Sequence, residues 1–147
     1  MELIVNDKSC VAKPGQTLGQ VAWRNMTHVG CVCAGRGICQ TCYVTVQEGA
    51  DCLSAFSDVE EAFLSPRQKS DGGRLACKAV IEREGRIRIL SRPEEVRRIL
   101  FADPAGLFAY GATMGQDTAA SIVSGVQNLV GRIAKGAVHP LPDRSVE

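Results

Sequence analysis

Apolar and polar positions alternate with a period of two at the start of the chain. Residues 2–5 and 8–12 read as two strands joined by Asn6-Asp7, residues that tolerate the positive φ values of a tight hairpin turn. Pro14-Gly15 ends the pair. Thr17 then offers an N-cap for a helix to about Asn25, with Leu18, Val21, Ala22 and Trp23 supplying the apolar contacts, so Trp23 is read as a core residue. Alternation returns in Tyr43-Val44-Thr45-Val46, a strand. Ser57 followed by Glu60 is a capping-box pattern for a short helix over 58–64, ended by Ser65-Pro66. Residues 74–81 and 86–90 read as two more strands around a Glu84-Gly85 turn.

The pattern changes after residue 92. Pro93-Glu94-Glu95 opens a short helix carrying Val96, Ile99, Leu100 and Phe101, with proline and acids where a helix N-terminus favours them, and Asp103-Pro104 interrupts it. Thirteen uncharged residues follow over 104–116 and fourteen more over 118–131. Neither run reaches the roughly 20 residues of a bilayer-spanning helix. In the second, Ile122, Val126, Leu129, Val130, Ile133 and Ala137 share one helical face, while Ser121, Ser124, Gln127, Asn128, Arg132 and Lys135 lie mainly elsewhere. Gly125, Gly131 and Gly136 weaken such a helix by about 1 kcal/mol each relative to alanine, so it is expected to form against a surface. Lipid, another copy of the chain and the chain's own folded part are the three candidates.

Net charge is +1, which gives no pull towards nucleic acid. The charge is uneven, however: residues 48–61 hold five acids and no bases, and residues 67–98 hold ten bases against five acids. An acidic surface steers redox partners, a basic one meets anionic lipid or an acidic protein, and a merely solvated face is the alternative for both. Seven cysteines in 147 residues is an odd number, and the first residues form a charged strand without an apolar signal region. A disulfide framework is therefore disfavoured and a reducing, cytoplasmic setting expected. With no G-x-G-x-x-G fingerprint, no P-loop and no catalytic Ser/His/Asp or two-carboxylate pattern, the chain is not expected to be an enzyme.

The chemistry lies in the spacing Cys33-x5-Cys39-x2-Cys42, with Cys77 thirty-five residues after Cys42. Three close thiolates and one remote one are how a plant-type [2Fe-2S] cluster is held, which makes Cys33, Cys39, Cys42 and Cys77 the candidate ligands and single-electron transfer the expected activity. Gly35 and Gly37 let the loop wrap closely enough for backbone N–H groups to face the cluster sulfurs. Cys31 competes for the first position, but its spacing of seven to Cys39 fits a ferredoxin loop less well than that of Cys33. Structural zinc sites usually need two short-spaced pairs, and Cys77 has no neighbouring thiol. His28 and His139, neither in a Cys-x-His unit, do not make a Rieske centre. Cys10, Cys31 and Cys52 are read as small buried or half-buried residues without chemistry. His28 is read as a surface or capping residue, and Arg36 as a positive charge that eases reduction.

Strand, strand, helix, cysteine loop, strand, short helix, strand, strand is the order of a β-grasp [2Fe-2S] ferredoxin. The fold class expected is α+β: a β-grasp domain over 1–92 and a C-terminal amphipathic helical extension over 93–147 with a flexible end. The five-residue first spacing resembles the adrenodoxin-like branch. Gly37-Ile38-Cys39-Gln40-Thr41-Cys42-Tyr43-Val44, Leu53-Ser54 with Ser57-Asp58 and Glu60, Leu64-Ser65-Pro66-Arg67, and Arg74-Leu75-Ala76-Cys77 together resemble the ferredoxin-like envelope proteins of the chlorosome, the antenna organelle of green sulfur bacteria. The resemblance implies that Cys33 and Cys39 hold an outer iron, which takes the electron, and that Cys42 and Cys77 hold an inner one. It also implies a chlorosome-envelope location on the cytoplasmic side and redox control of antenna energy transfer. A redox protein or a quinone would be the electron partner, and envelope lipid or other envelope proteins would meet the extension. The alternatives are a soluble cytoplasmic carrier between a flavoprotein reductase and an oxygenase or biosynthetic enzyme, and an envelope assembly protein whose cluster is mainly structural.

Overall fold

The computed structural model describes residues 1–134. Lys135, Gly136, Ala137, His139 and the end of the extension, expected from the sequence to be flexible, lie outside the described residues, as do the side chains of Ser121, Ser124, Gly125, Asn128, Leu129, Arg132 and Ile133. Strands β1 (Glu2–Val5) and β2 (Lys8–Val11) form the expected hairpin, with Asn6 and Asp7 at φ 52° and 66° in its turn. Helix α1 (Leu18–Arg24) starts at Thr17 in a capping box completed by Gln20 and buries Leu18, Val21 and Ala22. Strand β3 (Tyr43–Glu48) leaves the cysteine loop, and α2 (Asp58–Phe63) begins at the Ser57/Glu60 capping box. Ser65-Pro66 does end α2, but it also opens a helix that the pattern did not predict, α3 (Pro66–Ser70). Ser65 accepts from Gln68 N–H and proline takes the first helical position, where it has no amide to lose.

The remaining strands are β4 (Gly73–Leu75) and β5 (Arg86–Ser91). The sheet order is β2-β1-β5-β3-β4, with β1 and β5 parallel and every other pair antiparallel, which is the mixed β-grasp arrangement. Leu3, Val5, Leu18, Val44, Leu75, Ile81, Ile87 and Ile89 form the centre of the core. The expected strand over 74–81 is shorter than the sequence predicts. After Leu75 the chain curls, Lys78 N–H and Ala79 N–H both donating to Leu75 O, and only single bridges at Val80 and Ile81 return to extended pairing. Cys77 therefore sits in a turn and not in a strand.

Helix α4 (Arg92–Ala102) follows β5 directly, and α5 (Gly106–Ala134) runs without a break through both uncharged segments. α5 packs on α2 and α4, and α4 packs on β3 and β5. At 100° per residue, Leu107, Tyr110, Met114 and Asp117 occupy one side of α5, and all are buried or half-buried. Asp117 accepts from Ser65 Oγ at 2.9 Å and lies 3.8 Å from Arg67 Nη1, while Tyr110 Oη donates to Glu95. These contacts hold a helix whose glycines would weaken it in isolation. Phe108, Ile122, Val123, Val126 and Val130 fall on the opposite side within an arc of about 100°, and all are exposed.

Candidate cluster site

The cysteine loop is wound by a run of left-handed residues. Ala34, Gly35, Gly37 and Gln40 have φ of 50°, 82°, 82° and 53°. At Gly37 a Cβ would lie 2.6 Å from Val59 Cγ1, so closeness to α2 as well as φ calls for glycine there. Gly30, at the loop's entrance, is equally confined, since a Cβ would lie 2.5 Å from Thr41 O. Trp23 is half-buried at the edge of the core, and its Nε1 donates to Val29 O, pinning the segment that leads in.

The four candidate ligands fall into two pairs. Cys42 is buried at the start of β3, and its Sγ lies 3.2 Å from that of Cys77, which its turn brings across the sheet. Ala76 N–H donates to Cys42 O, and the first amides of α1 grip the same turn, Gly19 N–H donating to Ala76 O and Leu18 N–H to Ala79 O. Cys33 and Cys39 are half-buried nearer the surface and hydrogen-bond to one another. Thr41 Oγ1 accepts from Val32 N–H, which leaves its proton for Cys39 Sγ 3.0 Å away.

Burial pushes the Cys39 thiol up, but hydrogen bonds from Thr41 and Cys33 outweigh it and bring the pKa to about 6. The hydrogen bond from Cys77 lowers Cys42 to about 7 against its burial, and the same bond raises Cys77. Two sulfurs 3.2 Å apart need a shared proton or a metal ion between their charges. Among the described residues no three His, Cys, Asp or Glu side chains gather as a site for one ion. Two pairs of cysteines, each with one thiol whose pKa is lowered, suit a centre of two irons, each taking two cysteines.

The other cysteines divide. Cys10 and Cys52 are buried as expected, whereas Cys31 is exposed on the outer side of the loop, which corrects the expectation that it is buried or half-buried. His28 and Arg36 are also exposed. The rim of the site is apolar: Met26, Val32 and Ile38 are 87%, 76% and 56% exposed.

The acidic run keeps Glu48, Asp51, Asp58 and Glu61 at the surface and loses one member to the interior. Glu61 pairs with Lys69, Glu48 lies 3.9 Å from Arg88, and Glu60 is completely buried. Glu60 Oε1 accepts from Arg74 Nε at 2.8 Å and from Leu75 N–H at 3.0 Å, while Oε2 accepts from Ser57 N–H, Ser57 Oγ and Arg74 Nη2. Burial raises its carboxyl, but the hydrogen bonds from Arg74, Ser57 and Leu75 hold it below the ordinary carboxylate value. Arg74 also donates to Ser54 O and Ala55 O and lies over the Phe56 ring. This buried ion pair anchors the strand end two residues before Cys77. The capping box was a visible signal for Glu60, but its pairing with Arg74 was not. Nothing in the sequence singled out Asp117.

Chlorosome protein I of Chlorobaculum tepidum is 60% identical over 136 residues, covering 92% of this chain. Chlorosome protein J of the same organism is 42% identical over 142 residues, covering 96% of the chain. The chain spans 56% and 63% of the lengths of those two relatives. Among solved structures, the ISC-like [2Fe-2S] ferredoxin of Pseudomonas putida aligns with a TM-score of 0.48 and 21% identity over 60% of this chain and 87% of that one. Residues 3–82 match the model of the 2Fe-2S iron-sulfur cluster binding domain, and with its β-grasp sheet and wound cysteine loop this chain belongs to that [2Fe-2S] ferredoxin family.

Proposed function

We propose that Cys33, Cys39, Cys42 and Cys77 hold the cluster, Cys33 and Cys39 on the iron nearer the surface and Cys42 and Cys77 on the inner one, and that this carrier works in a chlorosome envelope. When bound, the cluster supplies one reversible electron per chain. The protein's part is to keep the thiolates paired, to shield the inner pair under β3 and α1, and to leave the apolar rim of Val32 and Ile38 open for electron exchange. We take 1–92 as the ferredoxin unit and the rest as the segment that attaches it. There, changes in the carrier's redox state would control energy transfer in the antenna.

The observation that carries the envelope reading is the exposed stripe of α5. Val123, Val126 and Val130 are 59%, 55% and 59% exposed on a helix whose only charges are Asp117, turned inward, and Arg132. Such a face is expected to lie in a lipid interface or against another envelope protein. Among the described residues no helix is long and apolar enough to cross a membrane, so the contact would be peripheral. The names of proteins I and J support the same reading.

The test is flotation of the full-length holoprotein with anionic and neutral liposomes, followed by the visible absorbance of the cluster. Wild-type protein is expected to float, and the Val123→Glu/Val126→Glu/Val130→Glu variant is expected to stay at the bottom with its cluster spectrum unchanged. Flotation equal in both, or in neither, would sink lipid attachment through α5.

A further inference from the structure

Lys78 follows Cys77 of the inner pair and is half-buried. The turn holds its backbone, Lys78 N–H donating to Leu75 O at 2.8 Å. Its side chain reaches across to the cysteine loop: a Cβ on Gly37 would lie 3.2 Å from Lys78 Cε and 3.4 Å from Lys78 Cγ. Gly37 is buried and stands two residues before Cys39 of the outer pair. The lysine stem therefore joins the turn that carries one pair of cysteines to the loop that carries the other.

The charge on that stem has no carboxylate partner. Lys69 pairs with Glu61 and Arg74 with Glu60, but no Asp or Glu among the described residues lies within ion-pair distance of the Lys78 ammonium. Its field falls on sulfur instead: the hydrogen bond to Cys42 and burial raise the Cys77 thiol, and the Lys78 charge acts in the opposite direction. A cation held beside the ligands acts on any process that changes the charge of the site. Reduction of a [2Fe-2S] centre adds one electron and no atom, so the site becomes more negative by one charge. A cation on a half-buried stem is screened less than one in open water and stabilises that added charge. Arg36, the other cation of the loop, is exposed and its field is largely screened by solvent.

We propose that Lys78 tunes the reduction potential of this protein, its ammonium charge favouring the reduced state and its packing on Gly37 holding that charge in place. The proposal rests on the assignment of Cys77 as a ligand. The competing reading is a structural lysine whose stem does no more than cover Gly37.

Lys78→Met separates the two, because methionine keeps an apolar stem and removes the charge, while Lys78→Arg keeps the charge. Midpoint potentials of the full-length holoproteins are read by mediated optical titration with dithionite at one fixed salt concentration. Lys78→Met is expected to make reduction about tenfold less favourable, which is about 59 mV lower for one electron, and Lys78→Arg to stay within about threefold of wild type. Arg36→Gln should shift the potential less than Lys78→Met does. Each variant is first checked for an unchanged absorption spectrum and EPR signal on reduction. The proposal is overturned if Lys78→Met stays within about threefold of wild type, if Lys78→Arg falls as far as Lys78→Met, or if Arg36→Gln shifts more than Lys78→Met. Should Lys78→Met fail to hold the cluster, Lys78→Gln is read in its place; loss of the cluster from both would overturn the proposal by making Lys78 a residue of cluster retention. Failure of the ligand assignment would show separately, as a Cys77→Ser protein with the wild-type spectrum.

Discussion

Replacing Glu60 by glutamine changes almost no volume and removes one charge, yet the geometry makes it among the most damaging single changes available. The carboxylate accepts five hydrogen bonds, two of them from Arg74, and the two side chains are 0% and 7% exposed. A glutamine has one acceptor oxygen, so in either orientation its amide nitrogen faces donors and the Arg74 charge loses its counter-ion. Breaking a buried pair from one side costs about 3–5 kcal/mol. In a domain of this size that lowers the melting temperature by on the order of 15 °C. The assay is thermal unfolding of the holoprotein by circular dichroism, with the visible absorbance recorded in parallel, because the Leu75 anchor lies two residues from Cys77 and cluster loss should begin earlier. Glu61→Gln is the control: its partner is Lys69 at the surface, and the expected loss is about 0–1 kcal/mol. The pH dependence follows from the depressed carboxyl of Glu60. Its stabilisation is complete above the unfolded-state value and is lost only as pH falls through the lower folded value, so the gap between wild type and variant should not change from pH 7 to pH 5. A Glu60→Gln protein that melts within 3 °C of wild type, or a gap that closes between pH 7 and 5, would refute the reasoning.

Cys33→Ser is expected to lose the [2Fe-2S] absorption and EPR signals or to bind the cluster in greatly reduced yield, whereas Cys31→Ser should keep both, since Cys31 is exposed and Cys33 half-buried. The opposite result would move the first ligand to Cys31. Asp117→Ala removes the acceptor that Ser65 Oγ uses and the counter-charge of Arg67, so a loss of about 1–3 kcal/mol is expected to fall on α5. Hydrogen exchange read by mass spectrometry should show faster exchange in 106–134 with the β1 and β5 amides unchanged; unchanged α5 exchange would mean that the helix is held by other contacts.

Much of the fold was legible because it rests on local rules. The β1–β2 turn needs positive φ at two residues, and Asn6-Asp7 supplies them; the helix starts at Thr17 and Ser57 are capping boxes whose partners lie three residues away. The ligand candidates were readable for a similar reason, since three of the four lie within ten residues and their spacing is dictated by the loop that must wrap a cluster. What failed was equally physical. Cys77 looked like part of a strand because its neighbours are apolar, but the turn around it is set by distant groups: the first amides of α1 donate to Ala76 O and Ala79 O, and Ala76 N–H donates to Cys42 O.

Charge was legible as a count and not as a surface. Glu60 and Glu61 are adjacent in sequence, and only the packing of α2 against β4 decided that one would be a buried anchor and the other a solvent-exposed ion pair. The same holds for α5: its period of 3.6 was present in the residues, but a helix has two sides, and the sequence could not say which would meet the protein. Asp117, buried against Ser65 and Arg67, settled that choice and left the valine stripe outside. The sequence by itself thus determined most of the elements and the cofactor, because short-range sterics and ligand spacing act between near neighbours. Tertiary structure alone decided burial, pairing and the contact of Lys78 with Gly37, because each depends on groups brought together from distant parts of the chain.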